Sequence, residues 1–151
     1  MLNIFMWSGP RNLSTALMRS FGNRSDVTNV LDEPFYASYL FKSGAKHPMR
    51  DIIIKHYNYD PVEVAHHCTD GKVDTKIQYQ KHMSHHMLEN FDLSFIRKLA
   101  NAFLIRSPEK VVKSYGKKIE NFNIYELGFI QQATIFNLVV DSTGIVPPVI
   151  D

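Results

Sequence analysis

Asn3-Ile4-Phe5-Met6-Trp7 runs straight into Ser8-Gly9-Pro10-Arg11-Asn12-Leu13-Ser14-Thr15. A short apolar run ended by Ser-Gly-Pro has the pattern of a parallel strand buried on both faces. Leu13, Leu17, Met18 and Phe21 then recur at helical spacing, and Gly22-Asn23 supplies residues that tolerate a left-handed helix end. The opening is strand, loop, helix. Such a loop gathers unpaired backbone N–H groups and the positive end of a helix dipole, which together hold an anion. Hydroxyls of Ser14 and Thr15 add donors, Arg11 adds a permanent cation, and Gly9 with Pro10 shapes the tight entry. Taken alone, the same residues also describe an ordinary turn followed by a helix cap.

Further along, Val27 to Leu31 is a second candidate strand, closed by Asp32-Glu33-Pro34, where proline discourages the ladder. Residues 35–72 read as helical and irregular, with one well-signed helix start at Asp60-Pro61-Val62-Glu63 and a stop at Asp70-Gly71. Lys76 to Gln80 alternates as a strand does, and Asn101 to Ile105 is a short apolar strand leading into Arg106-Ser107-Pro108, again a helix start. Asn123 with Glu126 resembles a capping box. Leu127, Ile130, Thr134, Ile135 and Leu138 would then form one helical face up to Gly144, before a fifth strand at Val149-Ile150-Asp151.

Strands alternating with helical segments predict an α/β fold: a doubly wound, mostly parallel five-stranded sheet with helices on both faces. Ligands of such sheets bind at the carboxyl ends of the strands. Gly9, Glu33, His82 and Arg106 all follow strand candidates and so converge on one rim.

A length of 151 residues fits one domain, and a formal charge of +2 lacks the density of Lys and Arg that nucleic acid or an anionic membrane would favour. A small anionic ligand fits better. Cys68 is the single cysteine, so no internal disulfide can form, and no secretory leader is recognisable; the expected setting is cytoplasmic. The apolar patch Ile4 to Trp7 falls far short of the ~20 residues a membrane span requires. Oligomeric state is not readable from these residues.

Pro10-Arg11-Asn12-Leu13-Ser14-Thr15 is similar to the P-[KR]-S-G-T-T loop of the PAPS-dependent sulfotransferase family, and Arg106 with Ser114 stands at the spacing of that family's second signature. Ser107-Pro108-Glu109-Lys110-Val111-Val112 resembles the D-P-R-D-V run between them. The resemblance spans essentially the whole chain and implies a P-loop-like fold. It further implies that the loop from Gly9 to Thr15 holds the 5′-phosphosulfate of 3′-phosphoadenosine 5′-phosphosulfate (PAPS), while Arg106 and Ser114 hold its 3′-phosphate. The reaction implied is sulfuryl transfer from PAPS to a hydroxyl or amine of a small acceptor, with no metal. Leu13 stands where the family has a glycine, so the backbone there must reach phosphate without left-handed geometry, or the loop differs slightly. Asn12 replaces a serine, keeping a donor. Family members usually continue well beyond this length, so the chain reads as one sulfotransferase-like domain over residues 1–151 that is short or C-terminally truncated.

Arg11 suits the charge growing on the departing phosphate oxygen, because it is effectively never deprotonated. For the base, Glu33 is the first candidate, resembling the carboxylate proposed in several branches of the family. His82, His85 and His86 are the second, since neutral imidazole is a natural base near pH 7. Lys81-His82 is one residue tighter than the Lys-x-His stretch of cytosolic members. Phe35, Tyr36, Tyr39 and Phe41 either line an acceptor pocket or pack the core. His66, His67 and Cys68 with the later histidines raise a zinc site, but adjacent residues on a helix point apart and no paired Cys-x-x-Cys frames one. A small-molecule or nucleotide kinase is the enzyme alternative, but its loop should read G-x-x-x-x-G-K-[ST], and Ser14 stands five residues after Gly9 with no Gly-Lys pair. A non-catalytic nucleotide-binding remnant is the other.

Overall fold

The structure, a computed structural model, describes residues 2–70, 76–119 and 121–151. Five strands lie parallel among them: β1 (Leu2–Ser8), β2 (Val27–Asp32), β3 (Ile77–Met83), β4 (Ala100–Leu104) and β5 (Val149–Ile150), in the spatial order β2-β3-β1-β4-β5. Parallel neighbours cannot be joined by tight turns, so helical segments carry the chain back each time. They are α1 (Ser14–Gly22), α2 (Tyr36–Ser43), α3 (Arg50–His56), α4 (Pro61–Asp70), α5 (Pro108–Gly116) and α6 (Phe129–Thr143). The sheet is thus wholly parallel.

Alternation along β1 feeds two separate apolar layers. Phe5 and Trp7 join Val64 and Cys68 of α4 and Ile135 and Val139 of α6 on one face. Met6 joins Met18 of α1, Tyr79 and Leu104 on the other. The chain leaves β1 towards β2 on one side and leaves β4 towards β5 on the other, which makes the β1/β4 border the switch point of the sheet. Ser8 pairs with Leu104 there, so both strands end level. Ligands of open parallel sheets bind in the crevice this creates.

Several expectations from sequence are refined. Of the segment 35–72, the described residues 35–70 resolve into α2, α3 and α4, and the start of α4 is capped by the Asp60 carboxylate accepting from the Val62 N–H at 2.8 Å. Gly71, expected to end α4, lies outside the described residues. The capping box at Asn123 and Glu126 is present, but it caps a separate 3-10 turn over Ile124–Leu127. Gly128, at φ 73°, breaks the chain before α6 starts. The buried side of α6 is consequently Gln132, Ile135 and Val139, while Ile130 and Thr134 face solvent. The sequence reading missed this because Gln132 is polar: its Nε2 donates to the Trp7 and Leu104 carbonyls at 3.2 and 3.0 Å, satisfying strand-end groups at the switch point. No helix among the described residues is long and apolar enough to cross a membrane.

Candidate phosphate site and acceptor cavity

Gly9 opens the loop under tight constraint, since a methyl group built on it would stand 2.7 Å from the Leu127 carbonyl oxygen. Only glycine fits there. Asn12 is buried and donates through Nδ2 to the Leu104 carbonyl at 3.1 Å, tying the loop to the end of β4. Between these anchors Arg11 and Leu13 both take left-handed backbone, at φ 65° and 60°. Leucine at the family's glycine position therefore does adopt the left-handed geometry, correcting the first of the two expectations for it. Alternating right- and left-handed residues turn successive N–H groups inward and make an anion-binding concavity.

For a leucine that conformation costs about 1–2 kcal/mol, and its side chain, 72% exposed, recovers little by packing. Leu13→Gly is accordingly expected to raise stability by roughly 0.5–1 kcal/mol after glycine's own entropic cost. Thermal unfolding would register this as a Tm gain of about 1–4 °C. A loss of stability would show that the leucine side chain contributes packing after all.

Arg106 follows β4 and donates through Nη1 to the Arg11 carbonyl at 2.7 Å. Arg11 donates through Nε to Ser114 Oγ of α5 at 2.9 Å, across 103 residues of sequence. The three side chains expected to grip opposite ends of one nucleotide thus share one corner of the rim. Two guanidiniums, the loop amides and the N-terminus of α1 concentrate positive potential there. Thr15 lies exposed and Ser14 buried in the first turn of α1.

Glu33 stands just past β2, also left-handed at φ 51°, with its N–H donating to the Lys81 carbonyl at 3.0 Å. Its carboxylate accepts from Lys81 Nζ at 2.6 Å, and that ammonium also reaches Asp32 Oδ1 at 2.8 Å. Lys81 is only 5% exposed at its side chain. Burial disfavours its charge, but hydrogen bonds and attraction from Asp32 and Glu33 outweigh this and raise its pKa. Beside the pair lies a cavity of about 870 Å³ between α3 and α4, lined by Asp32, Glu33 and Tyr36 among others.

His82 does not reach this rim. It is 1% exposed and stacks on Phe5 at 4.2 Å between ring centres, with Trp7 at 4.8 Å. Gln80 donates its Nε2 to Asn3 Oδ1 and the Cys68 carbonyl, so its Oε1 must accept, and His82 donates to it through Nε2 at 3.2 Å. Burial pushes the His82 pKa down to about 3. His85 is held near 4 by burial and by His47, and His86, fully enclosed, well below the usual range. These two pack against Tyr36 and Tyr39 rather than against the loop side chains.

Phe35 and Tyr39 are core residues, Phe41 stacks on Tyr59 at the surface, and Tyr36 alone of the four aromatics lines the cavity. Cys68 turns into the core with its thiol pKa pushed up to about 12 by burial, whereas His66 and His67 are exposed, His67 at the border of the cavity. Neither the Lys81 bridge nor the anchoring role of Asn12 has a direct sign in the residue pattern. Lys81 sits in an alternating strand, and only its register with Asp32 brings them together.

A model of the sulfotransferase domain family matches residues 2–146. Two curated Arabidopsis thaliana proteins, branched-chain-amino-acid aminotransferase-like proteins 1 and 2, are 34% and 32% identical over 148 residues. The match covers 98% of this chain but 26% of each relative, so the chain spans about a quarter of their length. No solved structure matches.

Proposed function

The chain belongs to the sulfotransferase domain family, and from that premise we propose that it binds PAPS at the Gly9–Thr15 loop, Arg106 and Ser114 and transfers the sulfuryl group to a hydroxyl or amine of a small acceptor. One observation carries the reading: Arg106 bonds the Arg11 carbonyl while Arg11 bonds Ser114, so both signatures meet at a single anion-binding corner. The donor set fits the ligand. Left-handed loop residues and two permanently charged forks suit phosphate and sulfate oxygens, and neither fork can be neutralised near pH 7.

PAPS supplies the sulfuryl group: a bond from sulfur to the acceptor oxygen or nitrogen forms as the bond to the 5′-phosphate oxygen breaks, releasing adenosine 3′,5′-bisphosphate. Glu33 takes the acceptor proton, and it is preferred over His82 because His82 is enclosed among aromatic rings. Arg11 and the loop amides stabilise charge on the departing phosphate. Arg106 and Ser114 hold the 3′-phosphate and fix the nucleotide's direction. The cytoplasmic setting belongs to the same reading.

Titration calorimetry with adenosine 3′,5′-bisphosphate tests it. Binding should weaken about 100-fold in Arg106→Ala, because a charged fork to phosphate contributes roughly 1.5–3 kcal/mol per bond. No binding, or binding indifferent to the substitution, defeats the assignment. Binding without turnover of PAPS would mark a non-catalytic nucleotide binder.

A further inference from the structure

The cavity beyond the carboxyl end of β2 has the size of a pocket for a small organic molecule, at about 870 Å³. Its walls divide by chemistry. Val30, Ile53 and Val64 give an apolar side, and the rings of Tyr36 and Tyr57 face the same space. Its acidic lining is Asp32, Glu33 and Glu63, the imidazoles of His56 and His67 also border it, and no lysine or arginine lines it among the described residues. Lys81 lies behind the wall, with its ammonium already bonded to Asp32 and Glu33. The phosphate corner, by contrast, is built on two guanidiniums.

We infer that this cavity takes an acceptor bearing a protonated amine remote from the hydroxyl to be sulfated. The inference rests on the reading that Glu33 accepts the acceptor proton. One ammonium, that of Lys81, is shared by Asp32 and Glu33, so with Glu63 the three carboxylates keep a net negative charge on the wall, and that charge draws the cation. Aromatic faces favour an ammonium over a neutral group, and the apolar side accepts the carbon frame between the two ends. An acceptor carrying a carboxylate meets like charge on that wall and is rejected. Opposite signs at the two subsites also keep the anionic donor out of the acceptor cavity. In the transfer the acceptor oxygen gives its proton to Glu33 and gains the sulfuryl group, while the ammonium keeps its proton and stays a recognition group.

Three phenols of matched size test this: tyramine, 4-ethylphenol and 4-hydroxyphenylacetate. Their binding to the 151-residue chain is measured by calorimetry, with and without saturating adenosine 3′,5′-bisphosphate. Tyramine should bind at least ten-fold more tightly than 4-ethylphenol, and 4-hydroxyphenylacetate most weakly. The doubly substituted Asp32→Asn, Glu63→Gln chain, checked for an unchanged melt, should bind tyramine and 4-ethylphenol within about three-fold. Equal binding of the three phenols, or a tyramine preference that survives the double substitution, overturns the inference. Nucleotide binding read from the same samples separates the two ideas. Retained nucleotide binding with no amine preference removes the acceptor class alone, and lost nucleotide binding with a carboxylate-dependent amine preference removes the sulfotransferase reading and leaves the cavity's preference standing.

Discussion

Glu33→Gln should lower the rate of sulfuryl transfer by about 100- to 10,000-fold, the range a positioned general base supplies, while binding of adenosine 3′,5′-bisphosphate stays within two-fold. The amide keeps the size of the side chain and still offers Lys81 an oxygen in place of the 2.6 Å contact, so the local frame survives. What disappears is the basic lone pair. Two features point to this carboxylate as a built position. Its left-handed backbone at φ 51° is a cost for glutamate, and strain of that kind persists where surrounding structure dictates it. Lys81, buried and bonded to it, fixes the carboxylate's direction. Transfer from radiolabelled PAPS, followed alongside calorimetry on the same samples, separates the two effects. A variant that turns over at the parent rate removes Glu33 as the base and returns the question to His85, the least enclosed of the three histidines.

Acidification from pH 7 to 5 should cost the fold at least roughly 4 kcal/mol, about 2 kcal/mol for each of His82 and His85, with the enclosed His86 adding to the loss. Burial lowers His82 to about 3 and His85 to about 4, and it lowers His86 in the same direction. Unfolded, each titrates near 6.5. Below that pH the unfolded chain binds protons that the folded chain refuses, so the contribution is complete above about 6.5 and is lost as pH falls towards 4. Small domains have total stabilities of only about 5–15 kcal/mol, so the expected loss approaches complete unfolding. Urea unfolding at pH 7, 6 and 5, at constant ionic strength, would register it as a falling midpoint with an unchanged slope. His82→Phe, similar in size, should recover about 2 kcal/mol of the loss. A midpoint that does not move between pH 7 and 5 would mean that these rings gain water when the chain is folded.

Much of this molecule was legible in its residues because its signals are local. The run Ile4 to Trp7, the loop that follows and the start of α5 at Ser107-Pro108 each declare themselves within a few positions. The meeting of Arg106 with the loop was expected from two motifs, and the bonds Arg106 makes to the Arg11 carbonyl and Arg11 to Ser114 bring those side chains together. What escaped was set by distant partners. Leu13 is left-handed because Asn12 anchors to β4 on one side and α1 begins on the other, whatever the residue's own preference. Gln132 is buried because it caps two strand-end carbonyls, so an apolar-periodicity reading placed Ile135 and Leu138 correctly but set Ile130 and Thr134 inward in place of Gln132 and Val139. His82 lies within β3, which runs three residues further than its alternation implied, and this carries it into the core rather than onto the rim.

The row of enclosed amides between β1 and β3 has a consequence of its own. Asn3, Gln78 and Gln80 bond to one another and to the Cys68 carbonyl, and the row ends on His82. Sliding β1 by two residues along β3 would keep every apolar side chain on its proper side, so greasiness alone cannot tell the right alignment from that wrong one. The slide would strand several of these amides without mates, at about 1–3 kcal/mol apiece. The polar row therefore works as a checksum on strand pairing: it adds little adhesion, yet it penalises the one mistake that oil-and-water sorting would let through.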